Sequence, residues 1–355
     1  MMGDKETKGI VKWQSPSNIA ILKYWGKKGI QLPINPSISF SLSKSFTETE
    51  IIYSEKESSN DISAEYFFEG VRNTAFENKI LNYLEKIRTQ LHLFDNYHLE
   101  IRSKNTFPHS AGIASSASSM SALVLCLLSI EHAEHKIPAQ EFYKKASYFS
   151  RLASGSASRS IGPGFYLWGK TEEFQFSSDE YAVQLPQIHP IFKDLQDTIL
   201  IVDSKQKKVS SSAGHQLMEN HPHKKARIKQ ANEHTQQFIK ALKDGDFNTF
   251  SRISEMEAIG LHSLMLNSTP SYNLMEPNSL QIIEKVKNFR NSTGLDLCFT
   301  LDAGPNVHLI YPKSHQPEII KFIKQELLVY CETDNWIADE MGNGPKELKN
   351  STYEQ

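Results

Sequence analysis

The stretch Phe299–Asn306, FTLDAGPN, places an aspartate at the end of an apolar run and just before a Gly-Pro turn. A carboxylate in this position either caps the turn or lies in a site where it accepts or orients a hydroxyl proton. In a site, the charge of Asp302 would need a cationic partner, and Lys23 is a candidate. The residue types alone leave both interpretations open.

The stretch that contains Lys23, NIAILKYWGKK, ends a β-like run with two lysines four positions apart. Lys27 follows Gly26, which allows another group to approach the backbone closely. The ammonium groups of Lys23 and Lys27 could therefore neutralise phosphate oxygens. Taken alone, the stretch is better explained as a strand that ends in a solvated basic turn.

A third stretch, SGSASR from Ser154 to Arg159, alternates hydroxyl and small side chains and ends in a guanidinium group. Arginine binds a carboxylate or phosphate through two parallel hydrogen bonds, and the serine hydroxyls can donate to the remaining oxygens. Without other signals, a serine-rich turn of this kind also has a purely structural interpretation.

The fourth stretch, Asn105–Ala122, reads NTFPHSAGIASSASSMSA and opens directly into an apolar helical pattern. The first N–H groups of a helix lack intrahelical partners, so this junction suits a phosphate group. Ordinary helix capping explains the same composition. The pattern is neither a Walker loop nor a dinucleotide-binding GxGxxG loop.

Four histidines lie in a hydrophilic helical stretch, and no HxxxH pair accompanied by a carboxylate indicates a metal site. We therefore interpret the side chains of His215, His221, His223 and His234 as solvated, and the sequence leaves the protein ligands of any metal unknown.

Length, charge and cysteine content limit the class of protein. A chain of 355 residues suits two domains, and a formal net charge of −2 favours a small-molecule partner over nucleic acid or membrane. The N-terminus lacks a signal-peptide core, and the longest apolar run is too short to span a bilayer. Cys126, Cys298 and Cys331 are far apart in apolar surroundings, which predicts buried thiols and a cytoplasmic protein.

Hydrophobic periodicity predicts a β-rich beginning followed by alternating helices and strands. The predicted strands are Ile10–Trp13, Ser37–Leu42, Thr47–Tyr53, Tyr97–Ser103, Phe165–Trp168, Ile199–Asp203, Leu295–Leu301 and Val307–Tyr311, with a turn at Ser15–Asn18. The predicted helices are Phe76–Leu93, Ser116–Glu134, Pro138–Leu152, Ala213–Leu242, Phe247–Leu264, Ser279–Ser292 and Gln316–Tyr330. The polar tail from Gly342 onwards is expected to fray.

Together, the four stretches resemble the ATP-dependent diphosphomevalonate decarboxylases, a family within the superfamily of galactokinase, homoserine kinase, mevalonate kinase and phosphomevalonate kinase. NIAILKYWGKK resembles the N-terminal signature of the family, and PHSAGIASSAS resembles the phosphate loop of the superfamily. SGSASRS and LDAGPN resemble two further signatures that the sister kinases lack. The resemblance extends from about Lys12 to Ile310.

The resemblance implies that ATP phosphorylates the tertiary 3-hydroxyl of 5-diphosphomevalonate and that phosphate and carbon dioxide then leave, which gives isopentenyl diphosphate. It implies ATP and Mg2+ as cofactors. The implied catalytic residues are Asp302, Lys23, Arg159 and Ser211. The implied substrate-binding residues are Tyr24, Lys27, Ser154, Gly155, Ser156 and Arg159, and the implied ATP-binding residues are Asn105, Gly112, Ala114, Ser115 and Ser116.

For the fold, the resemblance implies an α+β protein of two domains, with the active site in the cleft between them. An N-terminal ATP-binding domain resembling ribosomal protein S5 domain 2 is expected over residues 1–190, a ferredoxin-like domain over 191–342 and a polar tail over 343–355. The family resemblance further suggests a homodimer.

The chain departs from the family pattern at three places. His109-Ser110 stands where the family usually has smaller residues, Pro36 replaces a common serine, and Ser212 stands where several relatives have Arg or Thr. The change at Ser212 weakly favours 5-phosphomevalonate as the substrate. A 3-hydroxyl kinase without decarboxylation and a non-catalytic binding protein of the same fold remain as alternatives. The presence of Asp302 together with Arg159 argues against the kinase, and Asp302 argues against the binding protein.

Overall fold

The computed structural model describes residues 7–56, 61–107, 115–133, 135–205 and 209–349. Over these residues the chain is an α+β protein with two domains, as the sequence predicts. The β-strands are β1 (Thr7–Leu22), β2 (Lys27–Lys28), β3 (Leu32–Pro33), β4 (Ser37–Glu55), β5 (Ser63–Phe68), β6 (Val71–Arg72), β7 (Tyr97–Asn105), β8 (Phe165–Trp168), β9 (Val183–Gln184), β10 (Leu195–Leu200), β11 (Cys298–Thr300), β12 (Val307–Pro312), β13 (Trp336–Glu340) and β14 (Lys346–Glu347). The α-helices are α1 (Thr74–Ile87), α2 (Leu93–Asn96), α3 (Ser115–Glu131), α4 (Ala139–Ala153), α5 (Ser211–Leu217), α6 (Lys224–Asp244), α7 (Phe247–Leu266), α8 (Pro277–Thr293) and α9 (Gln316–Phe322).

The first domain is built on a sheet in which β1 pairs antiparallel with β4 along nearly its whole length. The predicted turn at Ser15–Asn18 is wrong, because β1 runs through it without interruption. The pairing register shifts between Pro16 and Asn18. A proline lacks an N–H donor, so a strand tolerates it at such an irregularity.

Helix α3 packs against β1 and β4 and is buried on nearly every side from Ala117 to Leu128. Its apolar residues follow one another without a polar face, which suits a helix enclosed between a sheet and another helix, here α4. This burial fixes the N-terminal end of α3, at Ser115, relative to the sheet.

The second domain has a four-stranded antiparallel sheet in the order β11-β12-β10-β13. Helices α5 to α8 connect β10 to β11, and α9 lies between β12 and β13. This β-α-β-β-α-β arrangement is the ferredoxin-like topology that the resemblance implies. The tight turn between β11 and β12 carries Asp302.

Two predicted helices differ from the structure. The predicted helix Ala213–Leu242 is two helices, α5 and α6, because Pro222 lies in the break between them and cannot continue a helix. The predicted helix Gln316–Tyr330 is α-helical only to Phe322 and then continues through a π turn into a 3-10 turn.

The tail and one cysteine also differ from expectation. Lys346 and Glu347 pair with Gln14 and Trp13 of β1, so these two residues are held in the sheet and do not fray. They pair with β1 on the side away from β4, where its N–H and C=O groups would otherwise face solvent. Cys126 and Cys298 are buried as predicted, whereas Cys331 is only half-buried.

Aromatic side chains join the two domains. Phe165 of the first domain lies 6.4 Å, centroid to centroid, from both Phe238 of α6 and Phe250 of α7. Phe40 of β4 packs edge-on against Phe165 at 5.6 Å. One of the hydrophobic clusters therefore contains side chains of both domains.

Candidate active site

A cleft of about 500 Å3 opens between the domains and is lined by residues of both. The predicted site residues that line it are Lys23, Tyr24, Lys27, Asn105, Ser115, Ser116, Ser154, Gly155, Ser156, Arg159, Ser211 and Asp302. Gly112 and Ala114 lie outside the described residues. Every predicted site residue that the structure describes therefore faces one cavity.

Lys23 and Asp302 form an ion pair across the cleft. Lys23 follows the last residue of β1, and its Nζ donates to Asp302 Oδ1 at 2.9 Å and to the carbonyl of Ala20 at 2.5 Å. The Lys23 side chain is 2% exposed, and burial lowers its pKa, while Asp302 opposes that shift. The partner that the sequence suggested for Asp302 is the one that the fold supplies.

Arg159 lies at the end of a 3-10 turn, Gly155–Arg159, and is 2% exposed. Its Nη1 donates to the hydroxyl of Ser37 at 2.5 Å, and its guanidinium lies over the ring of Trp168 at 5.9 Å. Burial lowers the pKa of Arg159 to about 10, with Asp302 and Tyr24 opposing the shift. Arginine still carries its charge at neutral pH.

The Nε atom of Arg159 is buried without a hydrogen-bond partner among the described residues. A buried donor without a partner costs free energy, and more so on a charged group. Arg159 also lines the cleft, so an anionic oxygen bound there could pair with its guanidinium group through a charge-assisted hydrogen bond. The geometry thus prepares Arg159 for an anion.

The serine turn and the start of α3 meet in the cleft. The hydroxyl of Ser154 lies 3.3 Å from the hydroxyls of both Ser116 and Ser156. The Asn18 side-chain amide donates to the carbonyl of Ser156 at 3.1 Å and holds the turn against β1. Two stretches that are far apart in the sequence thus present their hydroxyl groups to the same space.

The basic side of the cleft is a short hairpin, β2 and β3. Lys27 Nζ donates to Gln31 Oε1 at 3.0 Å within the hairpin. Arg151 of α4 donates to the carbonyl of Ile30 and pairs with Glu180, which attaches the hairpin to the first domain. Lys27 is therefore held at the rim with its charge directed to the cleft.

His215 of α5 was interpreted from the sequence as solvated, but it lies in the cleft between Tyr24 and Trp25, with ring centroids 4.3 and 4.7 Å away. Its Nδ1 accepts a hydrogen bond from the backbone N–H of Gly26 at 2.9 Å. Burial lowers its pKa to about 3, and Lys27 and Arg159 add to this shift. His215 is therefore neutral at physiological pH.

The solvated interpretation is also wrong for two of the other histidines. His221 is 6% exposed, and His234 is 5% exposed and bonded to a buried carboxylate. His223 is exposed as predicted. Both buried rings point into the protein. The hydrophilic composition of the stretch does not indicate which of its side chains are buried.

One end of the cleft is apolar, and sequence reasoning missed it. Its lining includes Tyr66 and Phe68 of β5, Phe76 and Ile80 of α1, and Met120 of α3. They come from α1 and α3, which overlap the predicted helices, and from β5, which is not among the predicted strands. Their common exposure to one cavity depends on how β5 packs beside α1.

A buried carboxylate on α7, Glu257, is a second feature that sequence reasoning missed. It occupies the core-facing stripe of the helix between Ile253 and Leu261. An acidic residue at such a position is a signal that could have identified it. Its contacts reach the backbone of Lys23.

Among the described residues, no helix combines the length and the hydrophobicity needed to cross a bilayer. Nor does this part of the chain bring three or more histidine, cysteine or acidic side chains together in a metal-binding cluster. Among the described residues that line the cleft, Asp302 is the one that has a carboxylate side chain.

Comparisons with known proteins cover both domains. Residues 15–182 match the family model described as diphosphomevalonate decarboxylase-like N-terminal domain, and residues 198–354 match that of the mevalonate 5-diphosphate decarboxylase C-terminal domain. The diphosphomevalonate decarboxylase of Ganoderma lucidum is 32% identical over 87% of this chain and 80% of its own length.

Solved structures agree with these matches. The mevalonate diphosphate decarboxylase of Staphylococcus aureus has a TM-score of 0.82 and 29% identity, over 96% of this chain and 98% of its own. A structure described as MDDEF in complex with MVAPP, AMPPCP and magnesium has a TM-score of 0.81 and 26% identity, over 96% and 99% of the two chains. The chain belongs to the diphosphomevalonate decarboxylase family.

Proposed function

We propose that this chain catalyses the ATP-dependent decarboxylation of 5-diphosphomevalonate to isopentenyl diphosphate, with release of ADP, phosphate and carbon dioxide. One observation carries the proposal: the Lys23–Asp302 pair shares a cleft with a buried guanidinium, that of Arg159. A carboxylate beside an anion-binding cation suits a substrate that offers both a hydroxyl and a carboxylate. The related structure in complex with MVAPP, AMPPCP and magnesium supports the same substrates.

In this proposal Asp302 accepts or orients the proton of the 3-hydroxyl while the γ-phosphoryl group of ATP is transferred to that oxygen. Lys23 compensates the charge of Asp302 and keeps the carboxylate in place. A tertiary hydroxyl is a poor leaving group, and phosphorylation makes it a good one. When phosphate leaves, the electrons of the carboxylate C–C bond form the new double bond, and carbon dioxide departs.

The remaining roles follow from position in the cleft. Arg159 binds the substrate carboxylate through its guanidinium, and Lys27 and Tyr24 bind the diphosphate together with the turn Ser154–Ser156. Ser211, at the start of α5, helps hold the substrate and the transferred phosphate.

ATP occupies the other part of the cleft. Ser115 and Ser116 at the N-terminal end of α3, with Asn105 nearby, bind its phosphates, because the first N–H groups of a helix have no intrahelical partner. The family resemblance adds Gly112 and Ala114, which lie outside the described residues, to the ATP-binding residues. The nucleobase stacks in the apolar end, where Tyr66 and Phe76 are available.

Magnesium fits the donor set of this cleft. Mg2+ takes oxygen ligands and is held in kinase-type sites by one or two carboxylates together with substrate phosphates. The cleft offers the Asp302 carboxylate and the hydroxyls of Ser115 and Ser116. When bound, magnesium would offset the charge of the phosphate oxygens during phosphoryl transfer.

One assay separates this function from the competing ones. The purified protein is incubated with ATP, magnesium and either mevalonate, 5-phosphomevalonate or 5-diphosphomevalonate, and ADP and carbon dioxide are followed together. We expect equal amounts of ADP and carbon dioxide with 5-diphosphomevalonate and no turnover with the other two compounds. Turnover with 5-phosphomevalonate, which Ser212 in the cleft would favour, would replace the proposed substrate. Formation of ADP without carbon dioxide would indicate a kinase. Absence of both products would refute an enzymatic role.

We further propose the domain division 1–190, 191–342 and a tail 343–355, a homodimer and a cytoplasmic location. The gap between the matched segments 15–182 and 198–354 supports a boundary near residue 190. Free thiols at Cys126, Cys298 and Cys331 suit a reducing compartment. Light scattering after gel filtration tests the dimer, and cell fractionation tests the location.

A further inference from the structure

Glu257 is the centre of a buried hydrogen-bonded group behind the cleft. Its side chain is completely buried, and its two oxygens accept from Arg227 Nη1 and Nη2 at 2.6 Å each. His234 Nδ1 donates to Glu257 Oε1 at 2.6 Å. Burial by itself raises the pKa of Glu257, but Arg227 and His234 outweigh it and lower the pKa to about 2.

The same group holds the backbone of Lys23 at both of its polar atoms. The N–H of Lys23 donates to Glu257 Oε2 at 2.8 Å, and its carbonyl accepts from Arg227 Nη2 at 3.0 Å. Asn35 Nδ2 also donates to that carbonyl at 3.0 Å. Lys23 lies just beyond the end of β1, so these contacts replace strand pairing as the constraint on its backbone.

These contacts cross from one domain to the other. Arg227 and His234 lie on α6 and Glu257 lies on α7, both in the domain that supplies Asp302, whereas Lys23 belongs to the first domain. The network therefore sets the position of Lys23 relative to the domain that carries its partner. A shift of about 1 Å in a reacting group can lower a rate by about 100-fold.

We propose that Glu257, Arg227 and His234 are positioning residues for the decarboxylation, which act by fixing the Lys23 backbone so that its ammonium group meets Asp302. The inference rests on the proposed function and adds to it residues that touch neither substrate. A stability role alone explains the network poorly, because apolar side chains often replace a buried ion pair without loss of stability.

The test replaces the ion pair without leaving a buried charge unpaired. The variant Glu257→Met/Arg227→Met removes both partners and the acceptor for the Lys23 N–H. We expect kcat with 5-diphosphomevalonate to fall on the order of 100-fold, KM for ATP to stay within about two-fold, and Tm to stay close to that of the wild type. A folded variant with kcat within about two-fold of the wild type would overturn the inference.

A second variant isolates the contact to Lys23. Glu257→Gln/Arg227→Met differs from the first variant at one side chain, whose amide oxygen can still accept from the Lys23 N–H. We expect it to recover kcat about 10-fold relative to the Met/Met variant. Equal kcat values in the two variants would contradict an action through Lys23.

A matched control lies on the same helix. Glu255 pairs with Arg290 Nη1 at 2.5 Å and connects α7 to α8 instead of to the cleft. Glu255→Met/Arg290→Met should leave kcat within about two-fold of the wild type. A loss in the control as large as that at Glu257 would indicate a general effect on α7 and refute the positioning role.

A cycle with Lys23→Met gives the decisive comparison. If the network acts through Lys23, adding Glu257→Met/Arg227→Met to Lys23→Met lowers kcat no further, whereas independent effects multiply. If the Met variants do not fold, Arg227→Lys provides the test, because it is the mildest change. This variant should lower kcat about 10-fold at unchanged Tm. An unchanged kcat in Arg227→Lys would refute the inference. Absence of turnover in the wild type would instead refute the proposed function.

Discussion

Lys23 and Asp302 stand 279 positions apart in the chain, and Lys23 Nζ donates to Asp302 Oδ1 at 2.9 Å. The lysine extends from the end of a strand in the first domain and the aspartate from a turn in the second. Their contact joins the two domains at the cleft, and it organises the proposed chemistry.

Asp302→Asn keeps the shape of the side chain and removes its charge. Because an amide does not accept the 3-hydroxyl proton, we expect kcat to fall by about 10²- to 10⁴-fold, with little change in ATP binding. Simultaneous measurement of ADP and carbon dioxide checks the loss. Asp244→Asn, at an exposed position on α6, serves as a control, and near-normal turnover of Asp302→Asn would contradict the assigned role.

Arg159→Lys keeps a positive charge but loses the planar group that donates two parallel hydrogen bonds. We expect kcat/KM for 5-diphosphomevalonate to fall by about 30- to 150-fold, equivalent to about 2–3 kcal/mol for hydrogen bonds to a charged group. Steady-state kinetics with varied substrate at saturating ATP checks this. Arg72→Lys, an exposed residue paired with Glu65 and Glu77, should have no measurable effect. An unchanged kcat/KM in Arg159→Lys would remove the arginine from the anion site.

His215 should make the stability of the protein depend on pH. Its pKa is about 3 in the folded protein against an ordinary value of about 6.5, so between these pH values the unfolded chain binds a proton that the folded one does not. Acidification through this window therefore favours unfolding, while above about pH 6.5 the effect vanishes.

His215→Phe removes the titrating group and keeps a ring between Tyr24 and Trp25. The free energy of unfolding of the wild type relative to this variant should fall by about 1–2 kcal/mol between about pH 7 and about pH 5. Urea denaturation at several pH values measures it. Parallel pH profiles for the two proteins would show that the ring is not held neutral.

Asp339 of β13 should be a strong contributor to stability. Its carboxylate is 1% exposed and accepts from the backbone N–H groups of Ser43, Lys44 and Ser45 at 2.7–2.9 Å. These residues belong to the part of β4 that lies between its pairings with β1 at Ser41 and Phe46. The second domain thus satisfies N–H groups of the first.

Asp339→Asn places an amide NH2 against donors, so we expect the free energy of unfolding to fall by about 3 kcal/mol at neutral pH. Chemical denaturation measures the change. Glu340→Gln, at the neighbouring position, serves as a control, because Glu340 accepts a long hydrogen bond of 3.4 Å from Gln196. Its free energy of unfolding should stay within about 0.5 kcal/mol of that of the wild type. A loss below about 1 kcal/mol in Asp339→Asn would show that these bonds carry little of the stability.

Local sequence pattern predicted the elements well where periodicity was strong and no tertiary contact opposed it. The strand Phe165–Trp168 has the predicted bounds, and the strand-turn-strand around Asp302 lies where the Gly-Pro pair indicated it. The predicted turn at Ser15–Asn18 was wrong because β4 pairs with Ser15 and Pro16 and, after a shift in register, with Asn18. Turn propensity is local, whereas that partner lies elsewhere in the chain.

The residue types of the four motifs suggested groups that bind anions but left structural interpretations open, and only the resemblance to one family implied that the four motifs share a cleft. The core-facing position of Glu257 on α7 was a signal of a buried carboxylate, but the sequence did not indicate that Arg227 and His234 of α6 are its partners. The neutral state of His215 likewise depends on the rings and cations that the fold packs around it. The sequence determines which chemical groups the protein has. The burial and the partners of each group, which set its pKa, are decided only when distant segments pack together.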